Sequence, residues 1–244
     1  MREPVRLLNI TAAELDKLRT LPAAVLATVG TVVVGIALAA ALAAFAAEQG
    51  AHASATDVVV QAVPFVQTGL ILLGVLPFSH ERAGSQLTTT LAAVPRRGLL
   101  VAGKTLAALT MTVLAAVATV GGMLAAATTT ARLADAPAGP ADGPWGAVGV
   151  VAYLVLVGLF SHATALLVRD LVPALVGTLS LVLIVSPVLA GLTEHARWLP
   201  DRAAAVLYGP ADPVLTAATG GLVTLAWIGL VGTAATVLFA RRDP

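Results

Sequence analysis

Cysteine is absent from this 244-residue chain, so neither a disulfide framework nor a thiolate metal site is open to it. Charge is nearly as scarce. Asp, Glu, Lys and Arg together make up 11% of the residues, against about 25% in a typical soluble domain. A surface so poor in charge cannot face water throughout, which excludes an ordinary soluble enzyme or nucleic-acid-binding domain. Aromatic residues reach only 4%. The long apolar runs do not alternate at period two, which argues against a membrane β-barrel. No internal repeat is apparent, so nothing in the chain supports an inverted-repeat carrier. In place of these the chain has hydrophobic residues at 58%, a mean hydropathy of +0.94, and an abundance of Ala, Val and Gly that suggests a high-GC bacterial genome.

Six apolar runs, at about 22–46, 58–79, 98–127, 145–168, 171–192 and 219–240, each supply the roughly 20 residues that a helix needs to cross the hydrocarbon core. Pro64, Pro77, Pro173 and Pro187 fall inside or near these runs. Membrane bundles tolerate such prolines where neighbouring groups satisfy the freed carbonyls. The first run is too long for the apolar core of a secretory signal and is read as a span. Six spans return both termini to one side. That side carries eleven of the fourteen Lys and Arg residues, while the thirteen acidic residues divide six against seven. The positive-inside rule then places both termini, and the loop Ser79–Gly98, in the cytoplasm of a multi-pass protein of the bacterial cell membrane.

The expected fold is therefore all-α: one transmembrane domain, 1–244, of six helices. Residues 1–21 precede the first span as an amphipathic helix on the cytoplasmic surface. Val5, Leu8, Ala12, Leu15 and Leu18 form its apolar face, with Glu14, Lys17 and Arg19 on other faces. Thr11 with Glu14 has the spacing of a capping box, which allows a division into two pieces. The segment 129–144 reads as irregular. The external loop 193–218 holds Trp198, Tyr208 and three prolines, and suits a short interfacial or re-entrant helix near 201–208.

Gly98 to Thr105 spells a phosphate-binding loop, G-x-x-x-x-G-K-T. That chemistry needs a buried strand before the loop and water around the phosphate. Here Val94-Pro95-Arg96-Arg97 precedes it and an apolar helix follows. The segment reads as a helix start, with Arg96, Arg97 and Lys104 at headgroup level. The four histidines are scattered without a metal-binding spacing, and no catalytic constellation is evident. Within the spans Gln61 and Thr68, with Thr105, Thr112 and Thr119 at seven-residue intervals, are candidates to line a pathway. His162 lies near the cytoplasmic end of the fourth span. The plainer role for all of these is interhelical hydrogen bonding, worth about 0.6 kcal/mol each. No carboxylate sits mid-span, which disfavours a proton- or sodium-coupled carrier and suits a lipophilic cargo.

The loop between the second and third spans is the most distinctive segment. Ser79 can cap a short helix at His80-Glu81-Arg82-Ala83, Gly84-Ser85 offers a break, and Gln86–Ala93 can form a second helix with Leu87 and Leu91 on one face, ended by Pro95. This stretch resembles the first cytoplasmic loop of ABC-2 type transporter permeases. The matching residues are Glu81, Gly84, Ser85, Leu87, Leu91, Pro95, Arg96, Arg97 and, inside the next helix, Lys104. Ser85 stands where Thr is commoner. Glu14 to Thr20 is similar to that family's N-terminal helix, and the six spans with a long last external loop also fit. The resemblance implies that loop 79–97, Arg82 included, is the coupling elbow seated in a separate ATPase subunit. It also implies a second permease chain, identical or not, and an alternating-access exporter. ATP and magnesium would then sit on the partner ATPase, with no cofactor, metal or enzymatic activity on this chain and no nucleic-acid partner. The alternatives are a non-transporting scaffold or immunity-type membrane protein and, with less support, a secondary carrier.

Overall fold

The computed structural model describes residues 3–83, 97–135, 145–168 and 170–241. Among them every regular element is helical. Helix α1 (Glu3–Thr20) leads through Leu21 into α2 (Pro22–Glu48), whose first turn is opened by Pro22, a residue that lacks only an N–H the helix could not use there. Then follow α3 (Ala55–Ala83), α4 (Arg97–Leu133) and α5 (Trp145–Val168). The fifth crossing is a rod of three pieces, α6 (Leu171–Ser180), a π-helical turn (Leu181–Val185) and α7 (Ser186–Leu192). A 3₁₀ turn (Glu194–Trp198) and short α8 (Pro200–Ala205) precede the last helix, α9 (Ala217–Arg241).

Six of these segments are long and apolar enough to cross a membrane: Pro22–Glu48, Ala55–Pro77, Gly98–Leu133, Trp145–Val168, Leu171–Leu192 and Ala217–Leu238. The protein is an all-α polytopic membrane protein. Three local expectations are corrected. Helix α1 is unbroken, because the Thr11 hydroxyl donates to the Leu7 carbonyl within the helix rather than capping a new one. Helix α3 runs past Ser79 to Ala83, since the next glycine is Gly84. Helix α4 continues through 129–133 to Leu133, so the expected irregular segment is helical over its first residues.

The centre of the bundle is α3 packed on α5, with α4 beside both and α2 along the outside of α3 and α4. The α3–α5 crossing is a backbone contact. A Cβ at Gly74 would lie 2.1 Å from the Gly158 carbonyl oxygen, and one at Gly158 would lie 2.8 Å from the Thr112 methyl of α4. Close approach through small residues is how helices associate in lipid, where apolar burial supplies little drive. The lipid-facing surfaces carry large apolar side chains, such as Leu26, Val29 and Val33 on α2 and Leu222, Leu225 and Leu230 on α9, each half exposed or more.

In the fifth crossing the buried residues are Ala174, Thr178, Val182 and Ser186. A strict α-helix advances 40° beyond a full turn every four residues, so this stripe would drift by about 120° over three steps. The π turn, closed by the Ser186 N–H on the Leu181 carbonyl, is wider. It absorbs the drift and keeps the stripe on the bundle.

Candidate functional site

At the end of the bundle that holds the termini, α1 lies against the first turns of α4. A Cβ at Gly103 would meet the Ile10 methyl at 2.4 Å, so the glycine makes room for α1. Beside it Lys104 Nζ donates to Glu14 Oε2 at 2.7 Å, with side chains 0% and 7% exposed. Lys17, on the outside, reaches Glu14 Oε1 at 2.8 Å. The remaining residue of the G-K-T triplet, Thr105, donates to the Val101 carbonyl at 2.9 Å and lies 3.3 Å from His162 Nε2. Helix packing accounts for all three letters of the phosphate-loop pattern.

This corrects the expectation that Lys104 stands at headgroup level. A buried ammonium is tolerable only when paired, and Glu14 provides a partner at 2.7 Å. The pair also sets the rotation of α1. The face turned inward carries Ile10, Glu14 and Leu18, while Leu8 and Ala12, expected on the apolar face, are exposed. Arg19 and Lys17 are exposed as well.

The segment expected to form the elbow lies in the sequence between α3 and α4. Glu81 and Arg82 fall in the last turn of α3 and Arg97 opens α4 by backbone position. Gly84, Ser85, Leu87, Leu91, Pro95 and Arg96 lie outside the described residues.

The polar groups of the spans are distributed as packing requires. Gln61 is exposed on α3 and Thr68 is partly buried. Thr112 is buried, with its hydroxyl donating to the Ala108 carbonyl at 2.9 Å. Thr119 is buried with its methyl against Gly35 of α2, and its hydroxyl has no partner among the described residues. One buried polar contact was not anticipated: Tyr153 Oη donates to Gln67 Oε1 at 2.5 Å, while the Gln67 amide donates to the Pro64 carbonyl at 3.2 Å. The signal was available, since Gln67 is one of two amides inside an apolar run and Tyr153 is one of the chain's two tyrosines. The other, Tyr208, meets Tyr153 edge to face with ring centroids 4.9 Å apart. His162 is 1% exposed, with Nδ1 3.2 Å from the Gly74 carbonyl oxygen.

The opposite end is closed by the segment between α7 and α9. Gly149 of α5 and Gly220 of α9 admit its backbone, since a Cβ at either would lie 2.0 Å from the Leu207 carbonyl oxygen or 2.3 Å from that of Ala203. Thr224 and Trp227 of α9 donate to the Pro200 and Trp198 carbonyls at 2.9 and 2.8 Å. Asp201 is buried here, and its Oδ1 has no hydrogen-bond partner among the described residues. Burial raises its carboxyl above the ordinary range, against the opposing pull of Ser186 and Arg202. Burial likewise pushes the Tyr208 phenol up to about 12, and the Leu215 and Val214 N–H groups hold the Asp212 carboxyl low. A cavity of about 570 Å³ opens beside this cap. Its arginines are already engaged: Arg197 with Glu194 and Asp212 at 3.2 and 3.5 Å, and Arg202 with Ser186 at 3.1 Å.

Among the described residues no three His, Cys, Asp or Glu side chains converge to hold a metal ion. No protein-family model matches the chain, and no curated protein matches it.

Proposed function

We propose that this chain is the membrane-spanning subunit of an ATP-driven transporter of the ABC-2 permease type. It would sit in the bacterial cytoplasmic membrane with its termini and the 79–97 loop in the cytoplasm. It would pair with a second permease chain and draw on a separate ATPase to export a lipophilic or amphipathic molecule. The observation that carries the proposal is the elbow sequence from Glu81 to Arg97, placed between two helices of the bundle. The mechanics around it favour a coupling role. Helix α4 leaves the elbow and within two turns is fastened to α1 through Gly103–Ile10 and Lys104–Glu14. A push on the elbow would therefore move α1 and α4 as one lever rather than bend a single helix. ATP hydrolysis belongs to the partner on this reading, because the G-K-T residues are committed to helix packing.

The test is purification of the tagged chain from its native host in mild detergent, followed by a vanadate-sensitive ATPase assay. A stoichiometric ATPase partner is expected, and Glu81→Ala or the pair Arg96→Ala/Arg97→Ala should release it. A chain that comes alone, with no ATPase activity, would favour the scaffold or immunity-type reading. Transport that survives ATP depletion but collapses with the ion gradient would make it a secondary carrier.

A further inference from the structure

The segment that closes the end opposite the termini is thinly anchored. Helix α8 reads Pro-Asp-Arg-Ala-Ala-Ala and buries Pro200, Asp201, Ala203 and Ala204. Alanines remove little apolar area from solvent. The cap is fastened by close backbone fit and by single side-chain bonds. Thr224 and Trp227 of α9 hold the Pro200 and Trp198 carbonyls, and Arg202 reaches Ser186 of the fifth crossing. An element held so lightly belongs to the low-stability end of a fold, where local opening precedes global unfolding.

Asp201 is a weak point in that seat. Its side chain is 5% exposed, and Oδ1 has no partner among the described residues. Oδ2 lies 3.9 Å from Arg202 Nε, a loose ion pair. That Nε donates to Ser186 Oγ at 3.1 Å, and the Arg202 side chain is 37% exposed, so water screens its charge. A buried carboxylate paired this poorly is costlier than the neutral acid. Burial raises the carboxyl, and the Ser186 hydroxyl, the Asp201 and Arg202 N–H groups and the Arg202 guanidinium offset it only in part.

The groups packed around α8 do not share this behaviour. Helix α5 presents Tyr153, whose hydroxyl is bonded to Gln67, and the chain after α8 presents Tyr208 against it. Phenols stay neutral through the range in which a carboxyl titrates. The fifth crossing and α9 present Ser186, Thr224 and Trp227, which do not titrate. On the neighbouring turns Glu194 and Asp212 are paired with Arg197. His195 is exposed, with Nδ1 3.1 Å from Thr193 Oγ1.

We propose that Asp201 is a proton-operated latch. With its proton, the α8 turn stays seated between α5, the fifth crossing and α9; on losing it, the turn lifts toward water at the end opposite the termini. The seated form binds the proton more tightly than the lifted form, in which the carboxyl is hydrated. Seating is therefore complete below the ordinary value of 3.8 and weakens as pH rises through the seated-state value. Acid on that side holds the cap shut, and a neutral medium loosens it. The latch needs neither nucleotide nor ATPase, so it fails or succeeds separately from the transporter reading.

The test is hydrogen exchange of the full unmodified chain in phosphatidylcholine nanodiscs, followed by mass spectrometry. It runs from about pH 4 to pH 8 and is corrected for the intrinsic pH dependence of amide exchange. The reporting amides are Ala203, Leu207 and Gly209, which donate to the Leu199, Ala204 and Ala205 carbonyls. The core of α5 is the internal reference. Protection of 200–209 should be greatest in acid and fall as pH rises, with a midpoint above 3.8, while α5 stays constant. Asp201→Asn has the shape of the acid without its titration. It should lose the dependence and keep the acid level of protection at every pH, whereas His195→Gln should retain the dependence. Protection that is flat with pH, or that rises with it, would overturn the inference on the unmodified chain. So would a dependence that survives Asp201→Asn or disappears in His195→Gln. Low protection of Asp201→Asn at every pH would overturn it as well, since the carboxylate would then be holding the turn in place.

Discussion

Neutralising Glu14 tests whether α1 is a structural part of the bundle. At 2.7 Å the attraction between unit charges is about 6 kcal/mol at an effective dielectric of 20. Much of that offsets the cost of desolvating both groups. Removing one partner of a buried pair typically costs about 3–5 kcal/mol. Glu14→Gln keeps an oxygen that accepts from Lys104, and Glu14 is not the sole contact of that lysine, so the lower end applies, about 3 kcal/mol. For a chain of this length that is a fall in Tm of about 6–12 °C. Arg19→Gln, on the exposed face of the same helix, should change Tm by little. The exchange Glu14→Lys with Lys104→Glu restores complementary charges and should recover stability relative to either single change. The absence of cysteine permits a geometric companion. The Ile10 Cβ is 3.2 Å from where a Gly103 Cβ would stand, a few tenths of an ångström short of the 3.5–4.5 Å spanned by a disulfide. Ile10→Cys with Gly103→Cys should therefore cross-link on mild oxidation in native membranes. A Glu14→Gln protein with unchanged Tm, together with no cross-link, would refute the packing of α1 on α4.

Three further outcomes follow from contacts deeper in the bundle. Gly74→Ala places a methyl 2.1 Å from the Gly158 carbonyl oxygen and should cost about 3 kcal/mol, whereas Gly177→Ala, with nothing within 4 Å, should be neutral or stabilising in the same thermal scan. Tyr153→Phe leaves the buried Gln67 carbonyl without its donor and should cost about 1–3 kcal/mol, much of it recovered by adding Gln67→Leu. The raised Asp201 carboxyl contributes stability that is complete below its ordinary value of 3.8 and is lost as pH rises through the folded-state value. Asp201→Asn should accordingly raise Tm at neutral pH and flatten its dependence on pH in acid; a lower Tm at neutral pH would show the carboxylate to be held by its partners rather than burdened by burial.

Span number and approximate position were legible in the sequence because hydropathy is a sum along the chain, insensitive to what lies beside each residue. Rotation about each helix axis was not, because it depends on which neighbour arrives. Gln61 and Gln67 are alike in composition, yet Tyr153 takes Gln67 into the interior and leaves Gln61 outside. Leu8 has the apolar character of an inward residue, but the Glu14–Lys104 pair turns Ile10 inward instead. A lysine six residues into an apolar helix beside two arginines reads as a headgroup anchor until the acid ninety residues upstream is found within reach. Asp201 was hidden for a related reason: its burial follows from the backbone of the segment before α9 sinking against Gly149 and Gly220, a long-range contact with no local pattern.

The π turn in the fifth crossing separates two properties that hydropathy merges. A turn closed from Ser186 to Leu181 holds one residue more than an α turn, so deleting one residue within Leu181–Val185 would let it close as an α turn and leave the two ends of the rod in nearly the same register. The same deletion in α6 would shorten the rod by only about 1.5 Å and leave its apolar character intact, yet it would swing everything beyond by about 100° around the axis. Ser186 would leave Arg202, and the tail of the rod would offer the bundle its lipid side. Two chains indistinguishable to a membrane would then differ in whether the cap at that end can close, so where a residue is lost from this crossing matters more than how apolar it is.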